Sequence, residues 1–298
     1  TSLEEALEEG ERIGFPLMLK STAGGGGIGL SYCKDVKSLA ATFAGVQRQA
    51  KANFGNQGVF LERFVQRARH VEVQIFGDGT GRVIAAGDRD CSLQRRHQKV
   101  VEESPAIMVP ETVREEMRAA ALRLASSVKY RNVGTVEFIY DIDKEEFYFL
   151  EVNTRLQVEH PVTESVTGID LVECMLNIAD EKATQLFETT PQVPGASIEV
   201  RVYAESPIQN FRSCTGRITT LEFPSTLRVD TWIKTGIEIT TSFDPLLAKL
   251  IAFGSSREEA IDNLVSGLAA TRIEGVQTNL EYLRQIVASP MFKSGEYT

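Results

Sequence analysis

The segment Glu151-Val-Asn-Thr-Arg-Leu-Gln-Val-Glu159 sets two carboxylates, two amides and a guanidinium at alternate positions. Strand side chains alternate between faces. In an extended chain Glu151, Asn153, Arg155, Gln157 and Glu159 therefore project to one side, and Val152, Leu156 and Val158 to the other. Such a set offers oxygen ligands for Mg2+ and a fork-shaped Arg for a small oxyanion. Glu137 lies among Val136, Phe138 and Ile139, where a charge is costly unless it is paired or metal-bound. A hairpin joining the two stretches brings Glu137 beside Glu151 and, with Asn153, makes a minimal cage for a nucleotide-borne Mg2+. The plain alternative is a strand pair with one solvated face.

Two further stretches carry charge or phosphate chemistry. Arg95, Arg96, His97 and Lys99 cluster within Asp90–Val100, which predicts a local anion site bounded by Glu102 and Glu103; a charged loop paired to nearby acids is the alternative. Arg69-His-Val-Glu-Val-Gln74 alternates again, with His70, Glu72 and Gln74 on one face, although lone histidines such as His70 and His160 are commonly structural. Gly24, Gly26 and Gly29 satisfy G-x-G-x-x-G, but a strand-like run rather than a helix follows, which excludes the dinucleotide fingerprint. No Gly-Lys-Ser/Thr ends the motif, so it is not a P-loop. Four consecutive glycines leave backbone N–H groups free to form a flap over phosphates, with Lys20 as a point charge. A mobile surface hairpin is the competing reading.

Elements able to hold these residues are legible along the chain. Ser2 and Glu5 form a capping box ahead of a short helix carrying Leu3, Ala6, Leu7 and Ile13. Phe15–Lys20 and Gly29–Cys33 read as strands around the glycines, and Asp35 caps a helix with Val36, Leu39, Phe43 and Val46 on one face. Val59–Phe64 and Val71–Phe76 are β-rich, Gly77–Gly81 is a hairpin loop, and Pro110 opens a helix to about Lys129. Strands at Val133–Tyr140 and Glu146–Val152 flank a charged turn, and a helix follows near Asp170–Ala179. Strands at Ala196–Ala204 and Gly216–Phe223 and helices near Ser256–Ala270 and Asn279–Val287 complete the chain. The pattern predicts an α+β fold with largely antiparallel sheets. It divides into a small lobe over residues 1–64 and a larger domain over 65–298, with a sub-boundary near 191–195.

Composition narrows the function. The chain has 298 residues, 42% of them hydrophobic, ample for a core and on length for about two domains. Its formal charge of −9 argues against nonspecific nucleic-acid binding, which needs clustered basic surface. No apolar run approaches the roughly 20 residues of a membrane span. Cys33, Cys91, Cys174 and Cys214 are widely spaced, so neither a disulfide framework nor a zinc site is expected, and a reducing cytoplasmic setting fits.

Together, Lys20-Ser-Thr-Ala-Gly-Gly-Gly-Gly27, Arg69-His-Val-Glu-Val-Gln74, Arg89-Asp-Cys-Ser-Leu-Gln-Arg-Arg-His-Gln-Lys99 and Glu151-Val-Asn-Thr-Arg-Leu-Gln-Val-Glu-His-Pro-Val-Thr-Glu164 resemble one family. It is the biotin carboxylase component of biotin-dependent carboxylases, an ATP-grasp family. The resemblance runs from Thr1 to the end and implies the ATP-grasp fold, a lid lobe plus a larger antiparallel-sheet domain. It also implies roles. Lys20 with Gly24, Gly25, Gly26 and Gly27 would hold ATP phosphates, and Glu62, Arg63, Val65, His70, Gln94 and His97 would contact the nucleotide. Glu137, Glu151 and Asn153 would bind Mg2+ or Mn2+, and Lys99, Arg155, Gln157 and Val158 would hold bicarbonate. Glu159 would deprotonate bicarbonate for attack on the γ-phosphate. The resulting carboxyphosphate would release CO2 to the ureido nitrogen of biotin, whose enolate Arg201 would stabilise.

The implied partners are a biotin carboxyl carrier domain and a carboxyltransferase domain in the same polypeptide. The family also begins with an α/β domain that carries a further ATP-phosphate lysine and part of the biotin pocket. That domain is expected to precede Thr1, which is not a Met and leads straight into a helix. Within the family, Ala23 with Ile28, Phe211-Arg-Ser-Cys-Thr-Gly216, Val229-Asp-Thr-Trp-Ile-Lys-Thr-Gly236 and Phe243-Asp-Pro-Leu-Leu-Ala-Lys249 are most similar to urea carboxylase and urea amidolyase. His97 departs from that branch, where Asn is expected. The alternatives are acetyl-CoA, pyruvate or guanidine as acceptor, another ATP-grasp ligase joining a carboxylate to an amine, or a non-catalytic assembly module.

Overall fold

The computed structural model describes residues 2–23, 29–96, 98–180, 187 and 193–298. Gly24, Gly25, Gly26, Gly27 and His97 lie outside the described residues, as do positions 191 and 192 of the sub-boundary read from the sequence. The chain forms two compact units, Thr1–Arg67 and Ala68–Thr298.

In the first unit, α1 (Leu3–Ile13) starts at the capping box: Ser2 Oγ accepts from the Glu5 N–H at 3.2 Å and Glu5 accepts from the Ser2 N–H at 2.9 Å. Strands β1 (Leu17–Ser21) and β2 (Leu30–Cys33) pair antiparallel, so the glycine segment joins the two strands of a hairpin. Helix α2 (Val36–Phe54) follows its Asp35 cap, and β3 (Val59–Arg63) pairs with the other edge of β1. Leu17 and Leu19 enter a core with Ala6, Leu39, Phe43 and Val46. Alternation leaves Met18 and Lys20 on the opposite face of β1.

The second unit is built on one eight-stranded antiparallel sheet. Its elements in order are β4 (Ala68–Asp78), β5 (Val83–Arg95), β6 (Gln98–Ser104), α3 (Glu111–Ser127), β7 (Arg131–Asp141), β8 (Glu146–Asn153), α4 (His160–Thr167), α5 (Leu171–Ala179), β9 (Ala196–Tyr203), β10 (Arg228–Thr231), β11 (Leu246–Gly254), α6 (Arg257–Ala270), α7 (Leu280–Ala288) and α8 (Pro290–Ser294). The strand order is β10-β11-β9-β6-β5-β4-β7-β8, and the mixed α+β, antiparallel architecture read from the sequence is the one found. Val71, Val73 and Ile75 of β4 pack on Met117, Ala121 and Ala125 of α3. Ile198, Val200 and Val202 of β9 pack on Leu264 and Leu268 of α6 and Leu283 and Val287 of α7. Alternation turns His70, Glu72 and Gln74 of β4, and Glu199 and Arg201 of β9, to the other face, where α4 crosses β5, β6, β9 and β11.

Two sequence expectations change. Residues 151–159 do not form one strand: β8 ends at Asn153 opposite Thr135, and Glu159 precedes α4, whose first turn holds Pro161. Proline cannot donate to a strand ladder but suits the first turn of a helix, so the chain leaves the sheet. Gly216–Phe223 also breaks, into Gly216–Arg217 paired with Glu238–Ile239 and Thr220–Glu222 paired with Arg272–Glu274. Ile218 between them is drawn into a satellite core with Ile233, Ile239 and Leu247. Among the described residues no helix is long and apolar enough to cross a membrane.

A Cβ added to Gly77, at the end of β4, would lie 2.1 Å from the Tyr130 carbonyl oxygen, whereas one added to Gly45 in α2 meets nothing within 4 Å. Gly77→Ala is therefore expected to lower the unfolding free energy by about 1–3 kcal/mol through overpacking. Gly45→Ala is expected to raise it by about 0.5–1 kcal/mol through helix propensity. Urea unfolding checks the contrast, and a neutral Gly77→Ala contradicts this packing.

Candidate active site

Antiparallel register sets charged residues in one row. Glu151 of β8 faces Glu137 of β7, Glu137 faces Glu72 of β4, and Glu72 faces Arg89 of β5. Directly opposed side chains stand about 5 Å apart, so three carboxylates in line require compensation. Lys99 of β6 supplies much of it: its ammonium lies 2.7 Å from Glu72 Oε2, 3.0 Å from Glu137 Oε1 and 2.6 Å from Glu159 Oε1. Arg89, fully buried, donates to Glu72 Oε1, to Gln74 Oε1 at 2.7 Å and to Thr163 Oγ1 at 2.8 Å, which ties the row to α4. Arg201 donates to Glu159 Oε2 at 2.9 Å while its Nε lies 2.7 Å from Glu102 Oε1. Glu159, 1% exposed, thus stands at the start of α4 with a different cation on each oxygen.

The charges follow from these contacts. Burial alone would raise the Glu72 carboxyl, but Arg89 and Lys99 outweigh it and hold its pKa at about 2. Burial likewise opposes ionisation of Glu137, and His70 with Lys99 brings it down to about 2. Burial works against the Lys99 ammonium too, yet Glu72, Glu159 and Glu137 around it lift its pKa above the usual lysine range.

The other residues singled out by the sequence fall into two groups. His70 places Nε2 3.0 Å from Glu137 Oε2 and Nδ1 3.0 Å from the Gln94 amide nitrogen. The Asn153 amide donates to Glu137 Oε1 at 3.0 Å and lies 3.4 Å from Glu151 Oε1. Here the amide nitrogen bridges the two carboxylates; the carboxylate oxygens and the amide oxygen of these three residues are the donor types that fit Mg2+. Arg155, exposed, donates to Gln157 Oε1 at 3.1 Å. The Gln157 Nε2 is buried without a partner among the described residues, a donor left for a ligand. The Val158 carbonyl accepts from Lys249 Nζ at 3.0 Å. In the first unit Lys20 pairs with Glu62, Arg63 ends β3, and Val65 is half-buried just beyond it.

The basic cluster does not act as one. Arg95 pairs with Glu205 at 2.8 Å and lies over the Phe211 ring, Arg96 donates to Asn210 Oδ1 at 2.7 Å, and Lys99 meets the carboxylate row. Each of the two arginines finds its own local partner, so the predicted anion site reduces, among the described residues, to Lys99. Two residues that the sequence reading did not single out, Arg89 and Glu199, lie in this cluster, and Glu102, read from the sequence only as an acidic flank, joins them. The signal was available in Ser197-Ile-Glu-Val-Arg-Val-Tyr203, where charges alternate inside an apolar run as Glu137 does in its own strand.

Comparison with known proteins follows this geometry. Residues 1–186 match the family described as carbamoyl-phosphate synthase L chain, ATP binding domain, and residues 199–298 match the biotin carboxylase C-terminal domain. The chain is 52% identical over 296 residues to the urea amidolyase of Lachancea kluyveri, covering 99% of this chain and 16% of that protein. It is similar to the crystal structure of the Kluyveromyces lactis urea carboxylase, with a TM-score of 0.76 at 54% identity over 79% of this chain and 21% of that one. It also resembles the biotin carboxylase domain of the Hydrogenobacter thermophilus 2-oxoglutarate carboxylase, solved with MgADP, ADP and bicarbonate. There the TM-score is 0.94 at 37% identity, over 100% of this chain and 66% of that one. The chain thus spans about a sixth of the urea amidolyase it matches.

The low pKa values of Glu72 and Glu137, about 2, set an acid limit. Their stabilising contribution is complete above the unfolded value of about 4.3 and is lost as pH falls towards the folded value. Unfolding free energy measured against pH should hold down to about pH 5 and then fall, and Glu137→Gln should make that fall shallower. An identical acid slope in wild type and Glu137→Gln contradicts the ionised row.

Proposed function

This chain belongs to the biotin carboxylase family of ATP-grasp proteins, and we propose that it uses MgATP to activate bicarbonate for carboxylation of biotin on a carrier domain. The observation that carries the reading is the buried Glu159 carboxylate, oriented by Lys99 on one oxygen and Arg201 on the other. A general base must be fixed within hydrogen-bond reach of the proton it takes. Each Glu159 oxygen keeps a lone pair for that proton beyond the one its cation uses.

Lys99, Arg155, the Gln157 amide nitrogen and the Val158 backbone are assigned to bicarbonate. Glu159 removes its proton, a bicarbonate oxygen attacks the γ-phosphorus, and ADP leaves. The carboxyphosphate so formed breaks down to CO2 and phosphate. Phosphoryl transfer depends chiefly on positioning and charge neutralisation, which the convergent cations supply. Glu137, Glu151 and Asn153 would hold Mg2+ or Mn2+, which offsets charge on the phosphate oxygens. Biotin, when bound, supplies the ureido nitrogen that accepts CO2, and Arg201 is assigned to its oxygen.

Residues 1–64 are assigned as the lid lobe and 65–298 as the catalytic domain. Within the first unit Lys20 with Gly24, Gly25, Gly26 and Gly27 takes phosphates, and Glu62, Arg63 and Val65 take the nucleoside. In the second, His70, Gln94 and His97 are assigned to the nucleotide. Urea is assigned as the final acceptor, in a longer polypeptide with carrier and carboxyltransferase domains, because the urea amidolyase and urea carboxylase matches reach 52% and 54% identity. Four free cysteines accord with a reducing cytoplasm.

Glu159→Gln in the full-length protein is expected to lower kcat for bicarbonate-dependent ATP cleavage by about 100-fold or more, the range for loss of a general base. Steady-state phosphate release checks this, and turnover within about twofold of wild type removes Glu159 as the base.

A further inference from the structure

Glu102 of β6 and Glu199 of β9 stand directly opposite each other in the strand register, and both are 0% exposed. None of their four carboxylate oxygens has a hydrogen-bond partner among the described residues. Buried carboxylates in that state are rare and demand a physical reason. Arg201, two residues beyond Glu199 on the same face of β9, brings its Nε to 2.7 Å from Glu102 Oε1 while its terminal N–H holds Glu159 Oε2. The other titratable groups facing the pair are Glu159 at the start of α4, Lys99 on β6, Glu72 on β4, Cys91 on β5, Lys249 on β11 and Tyr203 on β9. Lys99 is committed to three carboxylates, and Lys249 to the Val158 carbonyl at 3.0 Å and Asp230 at 3.3 Å. Arg201 therefore serves both Glu102 and Glu159, and among the described residues no cation forms an ion pair with Glu199.

We propose that Glu102 and Glu199 share one proton, and that the ionised Glu102 is the positioning residue that holds Arg201 where it reaches Glu159. This inference rests on the roles assigned above to Glu159 and Arg201. Two carboxylates opposed in a dry strand pair do not both ionise. A proton on Glu199 removes charge where no cation meets it and leaves Glu102 to pair with the guanidinium. The electrostatics run the same way: burial and the facing Glu102 push the Glu199 carboxyl well above its usual range. Burial also lifts Glu102, to about 7, against the pull of Arg201. The two then titrate as one unit. Loss of their shared proton puts a second negative charge beside Arg201, draws the guanidinium away from Glu159, and gives the activity an alkaline limb.

The test is the pH profile of kcat for bicarbonate-dependent ATP cleavage by the full-length protein, in wild type, Glu199→Gln and Glu102→Gln. Glu199→Gln, whose amide cannot ionise, should move the alkaline limb up by about one pH unit or remove it. Glu102→Gln should lower kcat about tenfold, because Arg201 loses the carboxylate that holds it beside Glu159, and should move the alkaline limb as well, because only one acid of the pair is left to titrate. An unchanged alkaline limb in Glu199→Gln, or a wild-type profile in Glu102→Gln, overturns the proposal. A fold defect in Glu102→Gln leaves the Glu199→Gln outcome decisive.

A second readout needs no activity. An acid with a raised folded pKa stabilises below that pKa and loses its contribution as pH rises through it. From about pH 5 upward, where the unfolded carboxyl is already ionised and the folded one is not, wild type should therefore lose stability relative to Glu199→Gln. Parallel stability curves overturn the shared proton. Wild-type protein without bicarbonate-dependent cleavage, but with the stability difference, would overturn the functional reading and the Arg201 role while leaving the proton in place.

Discussion

The Lys99 ammonium meets carboxylates from β4, β7 and the start of α4 within 3.0 Å, and the rest of the site depends on those contacts. Without them, register alone would hold Glu72, Glu137 and Glu151 side by side across three strands. Desolvating an ion costs several kcal/mol and is offset only by close, well-oriented partners. Lys99 and Arg89 provide such partners for Glu72, and Lys99 and His70 for Glu137. Because Lys99 also reaches Glu159, the compensation of the row and the orientation of the proposed base are one arrangement.

Each central strand does two jobs on two faces. The valines and isoleucine of β4 bury against α3, and those of β9 against α6 and α7. The alternate positions carry His70, Glu72, Gln74, Glu199 and Arg201 towards α4. A strand slipped by one residue would exchange the two sets, so the apolar packing that stabilises the sheet also fixes the register that assembles the polar face. Arg89 extends the constraint to the helix layer through Thr163, which places Glu159 at the mouth of α4.

Much of this was legible because its signals are local. Glu137 inside an apolar run and the alternation at Glu151 and Asn153 marked the face on which the three residues meet, and the hairpin between their strands is short in sequence. The pairing of β1 with β2, the capping box at Ser2 and the Asp35 cap read correctly for the same reason. Glu159 was placed on the wrong element: alternation was extended to residue 159, although Pro161, which suits a first helical turn, signalled α4. The basic cluster misled because sequence proximity of Arg95, Arg96 and Lys99 says nothing of Glu205 or Asn210, far along the chain, which claim the two arginines. Glu199 was marked by its charge inside an apolar run, but Arg89 and Glu102 acquire meaning only from cross-strand register, a long-range property that no short window of sequence contains.

The most direct test of the central ammonium is a double-mutant cycle on unfolding free energy at neutral pH, with Lys99→Met, Glu159→Gln and both together. Direct contact at 2.6 Å between the two side chains leads to an expected coupling of about 1–3 kcal/mol, the range for buried residues in one ion-pair network. Additivity within about 0.5 kcal/mol would mean that the two groups do not act on each other and would contradict the account.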